Sequence, residues 1–511
     1  MNDLHEEARR LSDEFLADTQ YRLGFVEAEQ PNPLTETLGE TYRADTLAGV
    51  EMLIAADAKL ADVYRDALSS ADFSDFAGAV KAALARGGRV ILSGCGSSGR
   101  LAMRLEASWR EATGLDNVRT IMTGGDYALI RAVESFEDST ALGQKQASDL
   151  NITEKDLLIG ITATLETTSV LGTAMEALAR GAAVWMIGCT DPKSIIGKLK
   201  RVDDVLTHPL CRTLYLPVGG MAVTGSTRMQ SSTIEQVIIG TALEMVLSAG
   251  KVPDFAKLFD QTITAMRDTA PLIASVTDEE TKLYQKNGHV TYFASEFLLD
   301  VLADTTERGP TFSVPPFRPQ TRTEEPLSWA FVKDPFHETE DAWHECFGHV
   351  PRCLSLSDKN APDISLTALY GFRIGNEPDP ERERGNSLAL WIGEDVPAEF
   401  FESAAHYRNM DVLTFRPPED PTRLDLFRHL YAKMMINTFS TGVMAKMGRI
   451  YGHYMVNMNI SNKKLVDRGT RMIADFCGLS YEDANRELFY SKLTCGDASP
   501  VKDAIDRLKK E

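Results

Sequence analysis

The residues with the clearest chemical potential are Gly94-Cys95-Gly96-Ser97-Ser98-Gly99, set between a short apolar, β-branched run and a helical pattern. Gly94, Gly96 and Gly99 allow a tight turn and close backbone approach. Free N–H groups at a helix start, with the positive end of its dipole, favour an anion there. The same spelling is the G-x-G-x-x-G of dinucleotide loops, which calls for an acid about 20 residues on, at the end of the second strand, to hold a ribose. That strand ends in Thr123-Gly124-Gly125-Asp126, so Asp126 comes late and behind two glycines. The adjacent hydroxyls of Ser97 and Ser98 suit a terminal monophosphate better than a pyrophosphate. A phosphosugar is the preferred ligand; NAD and a purely structural glycine turn are the alternatives.

Two further strand ends carry matching groups. Thr162, Thr164 and Thr167 follow the third strand, and Thr224-Gly225-Ser226-Thr227-Arg228 precedes a long helix. In an open parallel sheet, ligands bind beyond the carboxyl ends of the strands, so these segments should converge. Ordinary capping explains any one Ser or Thr equally well. Glu134, Glu137, Asp138 and, on the helix after the loop, Glu106 are the candidate acid–base groups. A carboxylate raised in pKa by burial could remove the proton beside an open-chain sugar carbonyl. Solvated or helix-start carboxylates are the competing reading. His344 and His349 are spaced five apart rather than four, so H-E-x-x-H fails and no metal site is expected among them and His337.

The elements that must position these groups follow from hydrophobic period. Residues 44–85 read as a helical lead-in. Buried-strand runs fall at 89–93, 118–122, 157–162, 183–188 and 213–217, separated by helical patterns at 100–113 and 168–180 and closed by a helix at 227–248. Alternating strands and helices call for a parallel sheet. A linking helix at 254–286 leads to a second alternation, with strand-like runs at 290–293, 329–332, 353–356, 388–392 and 412–415. Helical patterns occur there at 296–303 and 398–408, and loops at 309–326 and 377–385. From 424 onward the chain is helical again. The expected fold is α/β: a lead-in at 1–85, a first parallel-sheet unit at 86–250, a linking helix and second unit at 251–418, and a C-terminal helical segment at 419–511.

Composition narrows the class. Of 511 residues, 54 are Lys or Arg and 74 Asp or Glu, a net charge of −20. Such a surface repels nucleic acid and anionic lipid. Seven scattered cysteines without a C-x-x-C pair fit a reducing compartment rather than a disulfide framework. With an acidic N-terminus, no secretory h-region and no apolar run of about 18 residues, the expected location is cytoplasmic.

At the level of motifs, Gly94 to Leu101, Gly124-Gly125-Asp126, Glu134-x-x-Glu137-Asp138, Thr224-Gly225-Ser226-Thr227-Arg228-Met229 and Pro31-Asn32-Pro33-Leu34-Thr35 resemble the sugar isomerase (SIS) domain of the N-acetylmuramic acid 6-phosphate etherases. Asn437-Thr438-Phe439-Ser440-Thr441-Gly442 and Ser461-Asn462-Lys463-Lys464-Leu465 are similar to that family's closing segment. A second α/β unit between the two resembles instead the glucokinase regulatory proteins, which carry two SIS domains and a helical cap. The resemblance implies two tandem SIS (flavodoxin-like) domains and no cofactor. It makes Ser97, Ser98, Thr162 and Thr164 phosphate-side contacts, Glu137 a catalytic or sugar-contacting carboxylate, Lys464 a lysine reaching back to the phosphosugar, and Arg228 the residue ordering its loop. It also implies a protein partner such as a sugar kinase, with a homodimer as a further expected assembly.

The departures are specific. The second etherase glutamate falls on Ser108, with Glu106 and Glu111 nearby at other helix angles. The Ser-Gly-Arg-Thr-Pro loop reads Thr164-Leu165-Glu166-Thr167-Thr168, and a lysine after Arg-Met is Gln230. Losing one carboxylate of an acid–base pair costs about 10²–10⁴ in rate. The expected function is therefore phosphosugar binding in a regulatory role, with an etherase-type lyase releasing D-lactate, or a related isomerase, as the alternative.

Overall fold

The computed structural model describes residues 2–133, 136–248, 252–356, 361–496 and 498–509. Two all-parallel sheets dominate. The first holds β1 (Val90–Gly94), β2 (Val118–Met122), β3 (Leu157–Ile161), β4 (Ala183–Gly188) and β5 (Cys211–Tyr215) in the order β2-β1-β3-β4-β5. The second holds β6 (His289–Phe293), β7 (Ala330–Lys333), β8 (Ser387–Gly393) and β9 (Asn409–Thr414) in the order β7-β6-β8-β9. Every residue of β1, β3, β6 and β8 is buried. This is why these strands read as continuous apolar runs rather than alternating ones.

In both sheets the chain reverses direction beside the first strand, between β1 and β3 and between β6 and β8. Such switch points open a crevice at the carboxyl ends of the strands. The helix Leu426–Lys446 packs against Phe255–Gln285, Gln230–Leu247 and Leu298–Phe312, and so lies between the two units. Its Met434, Met435 and Met444 are all buried, as core filler. The chain ends meet as well. Helix Asn2–Ala17 packs on Tyr481–Thr494, with Ser12 Oγ donating to Asn485 Oδ1 at 2.7 Å.

Three expectations are corrected. Residues 353–356 form no strand. Arg352 is held by the first unit, its amide donating to Asp126 Oδ2 (2.7 Å) and its carbonyl accepting from the Asp126 amide (3.1 Å), so this stretch runs along a neighbour instead of joining the second sheet. The expected loop at 309–326 begins as helix, because Leu298–Phe312 continues through Gly309 and Pro310 to a left-handed stop at Ser313. The last strand of the first sheet sits two residues upstream of 213–217, ending before Pro217, which has no N–H to give.

Candidate functional site

The chain leaves β1 at Gly94 and turns at once into helix Gly96–Thr113. The helix begins four residues before the expected start at 100, so the glycine loop is itself the first helical turn. A Cβ on Gly94 would lie 2.5 Å from the Gly99 amide, and one on Gly99 would lie 2.1 Å from Met122 Sδ. Only glycine lets strand and helix approach this closely. The Gly99 amide donates to the Cys95 carbonyl (3.3 Å), while the Gly96, Ser97 and Ser98 amides have no acceptor within the helix and carry its positive end.

This turn opens into a cleft also lined by Glu137, Ser226, Arg228 and Lys464, residues drawn from three other, distant parts of the chain. The closing helix Lys463–Cys477 supplies the lysine. Asn462 caps it, its Oδ1 accepting from the Leu465 amide at 2.8 Å. The Asn462 Nδ2 donates to Glu137 Oε2 at 2.9 Å, and Lys464 Nζ donates to Glu137 Oε1 at 2.6 Å. Burial by itself would lower the Lys464 pKa; the Glu137 and Glu166 carboxylates outweigh it and raise the ammonium above its ordinary range. Ser97 Oγ lies 3.1 Å from Thr227 Oγ1, tying the glycine turn to the Thr224–Arg228 loop. Arg228 is almost wholly buried. It donates to Asp304 Oδ1 (2.8 Å) and Thr441 Oγ1 (2.7 Å), so its charge joins the two units as much as it faces the cleft.

Several expected residues lie elsewhere. Ser98 donates to Glu235 Oε2 at 3.1 Å, behind the turn. Thr162 and Thr167 bond each other (2.8 Å), Thr164 donates to Glu166 Oε1 (3.0 Å), and none of the three lines the cleft. Glu166 is neutralised by Arg201 at 2.7 Å, so the acid in this loop has its own counter-charge. Glu106 is not in the cleft either. It accepts from the Thr120 amide (2.7 Å), Arg352 (2.8 Å) and Arg110 (3.2 Å), which makes it a buried structural anchor. Ser108 is buried and Glu111 exposed on the same helix. Glu134 lies outside the described residues. His337 pairs with Asp334 (2.8 Å) and His344 with Tyr370 (3.0 Å).

Three lining residues escaped the sequence reading. Arg468 stands one helical turn after Lys464, a spacing that places both on one face. Asn462 carries a cap signature before a helix. Glu307 belongs to the second unit's helix Leu298–Phe312 and pairs with Arg100 beside the glycine turn. No local pattern announces it, because its role depends on how the units pack.

Behind the turn, Glu235 is fully buried, and burial pushes its pKa up to about 8. A carboxyl raised in the folded state costs nothing below its ordinary value near 4.5. The penalty grows as pH rises toward 8, because the unfolded chain ionises first. Glu235→Gln is therefore expected to stabilise the protein by about 2 kcal/mol at pH 8 and by little at pH 4.5. Thermal unfolding of the variant at the two pH values measures it; an equal effect at both would reject it.

Two parallel-sheet units, with a glycine turn at one switch point, define this chain as a double-SIS α/β protein. A family model described as the glucokinase regulatory protein N-terminal SIS domain matches residues 75–178. Among curated relatives, an N-acetylmuramic acid 6-phosphate etherase of Aliivibrio fischeri is 33% identical over 231 residues, 44% of this chain and 71% of the relative. The etherase of Yersinia pestis is 33% identical over 251 residues, 48% of this chain and 77% of the relative. The chain belongs to the SIS-domain family of these etherases. Of solved structures, the C-terminal domain of glucosamine-fructose-6-phosphate aminotransferase from Francisella tularensis superposes with a TM-score of 0.43 at 9% identity, covering 79% of this chain and 96% of that chain. Among the described residues no helix is long and apolar enough to cross a membrane.

Proposed function

We propose that the cleft binds a sugar 6-phosphate, with the phosphate on the Gly96–Gly99 turn and the sugar ring against Glu137 and Lys464. The observation that carries this reading is the meeting of an amide-rich helix start with a Lys464–Glu137–Asn462 cluster in one cleft. Glu307 adds a wall from the second unit, so a ligand here touches both units and can bias how they pack. That is what a regulatory sensor needs. The matching family model's name points to a sugar kinase as the class of protein partner.

Isothermal titration with glucose 6-phosphate tests the reading. Glu137→Gln should weaken binding about tenfold by replacing a charged acceptor for sugar hydroxyls with a neutral one. Unchanged affinity in this variant removes the pocket as drawn.

A second reading is favoured by one observation: Glu137 and Glu307, two carboxylates, line the same cleft. As a lyase, Glu137 would take the C2 proton, the C3–O ether bond would break, and the leaving lactate would be protonated by a second acid or by water. Incubation with N-acetylmuramic acid 6-phosphate decides between the two. D-lactate released well above a Glu137→Gln control makes the protein an etherase. No lactate, with the substrate still protecting against heating, leaves a binding protein.

A further inference from the structure

The second unit has a switch-point crevice of its own, and its chemistry differs from that of the first. Beside the loop that follows β6 lies a cavity of about 400 Å³, closed on its far side by the first unit's helix Gly96–Thr113. Arg104, on that helix, lines it. Arg104 is 7% exposed, and its buried Nε has no partner. Its nearest carboxylate, Glu111 Oε2 at 3.8 Å, sits on a side chain that is 73% exposed. A buried guanidinium left this way costs free energy unless something completes it.

Two more features face the same space. Helix Leu298–Phe312 starts here with Phe297 as its N-cap, a residue with no side chain to cap it. The Leu298 amide donates to the Ser295 carbonyl (2.9 Å), and the Leu299 and Asp300 amides of the first turn stay available to an anion. Ser295, half-buried at the end of the β6 loop, adds a hydroxyl. The acids around the cavity are largely accounted for. Glu296 is paired with Arg428 (2.7 Å), and Asp334 with His337 (2.8 Å) and the Phe336 amide (2.7 Å). Glu111 and Glu345 remain at the exposed rim. Buried Arg104 thus shares the inner wall with one buried acid, Asp334, which is paired with His337, and the remaining acids lie at the rim.

We infer that this crevice is a second ligand site, taking a phosphate monoester of a small hydroxyl-bearing molecule. The phosphate would sit between Arg104 and the Leu298 helix start, and hydroxyls would donate to the acidic rim. The first unit's glycine turn is replaced by an arginine reaching across from the neighbouring unit. Arg104 is also two turns along the helix whose first turn forms the cleft at Glu137, so one rigid element touches both sites.

Titration of the full chain with glucose 6-phosphate tests this, with inorganic phosphate in a parallel arm to separate the ester from the bare anion. The expected result is two equivalents of glucose 6-phosphate per chain. Arg104→Gln should weaken one of them about 10–100-fold and spare the other, while Lys464→Ala does the reverse. Ser295→Asp, which sets a carboxylate at the helix start, should abolish the same equivalent as Arg104→Gln and guards against a folding defect in that variant. A single equivalent in the parent protein, unaltered in Arg104→Gln and Ser295→Asp, overturns the second site. It leaves the first standing, because that one is read from Lys464→Ala. Two equivalents filled by inorganic phosphate and not by the ester also overturn it.

Discussion

Lys464→Ala is expected to weaken glucose 6-phosphate binding about 10²-fold and to destabilise the fold at the same time. The lysine does two jobs. It supplies a positive charge to the cleft, and it neutralises Glu137, which is largely buried and accepts Nζ at 2.6 Å. Removing one partner of a buried ion pair leaves the other uncompensated, at about 3 kcal/mol. The two effects separate experimentally. Chemical denaturation measures the stability loss, and titration at a temperature where the variant stays folded measures affinity. The double variant Lys464→Ala, Glu137→Gln should recover most of the stability and none of the affinity. If affinity returns with stability, Lys464 is a structural residue and the proposed pocket is wrong.

The second large effect concerns Glu29, far from the glycine turn in sequence. It is wholly buried and receives Arg468 (Nε 2.9 Å, Nη2 2.5 Å) and Arg471 (2.7 Å) from the closing helix. Burial opposes its ionisation, but the two guanidinium groups prevail and hold its pKa at about 2. Arg468 fits only because position 225 is glycine: a Cβ there would lie 2.3 Å from Arg468 Nε. A carboxylate depressed in the folded state contributes stability above its ordinary value near 4.5, and that stability is lost as pH falls toward 2. The parent protein should therefore lose about 3 kcal/mol over this window from Glu29 alone. Glu29→Gln should be less stable by about that amount at pH 7, with a flatter acid limb. A variant whose stability at pH 7 matches the parent would mean that the lead-in does not hold the closing helix in place. Loss of that anchor should also weaken ligand binding, since Lys464 rides on the same helix.

The switch-point glycines and the apolar strands were legible because their causes are local. A strand buried on both faces must be apolar along its length, and a strand that turns straight into a helix needs glycine where the two backbones touch. The same logic misled at residues 353–356. Cys353-Leu354-Ser355-Leu356 has strand composition, yet the carboxylate of Asp126, more than 220 positions earlier, captures the amide of Arg352 and directs the segment elsewhere. Spacing also overcounted the cleft. Ser98, Thr162, Thr164 and Thr167 have the right types at the right strand ends, but their hydroxyls are taken by Glu235, by one another and by Glu166.

By itself, the sequence determined the α/β class, the two alternating units, the glycine turn and the pairing of that turn with Glu137 and a distant lysine. All of these are carried by hydrophobic period, by glycine or by motif resemblance. Tertiary structure alone decided that Glu106 is an anchor rather than an acid, that Glu307 enters the first unit's cleft, and that the Nε of Arg104 is buried without a partner at the second unit's crevice. These depend on which charges meet across the packed units, and a side chain's charge and type, read along a chain, do not say which other charge it will face.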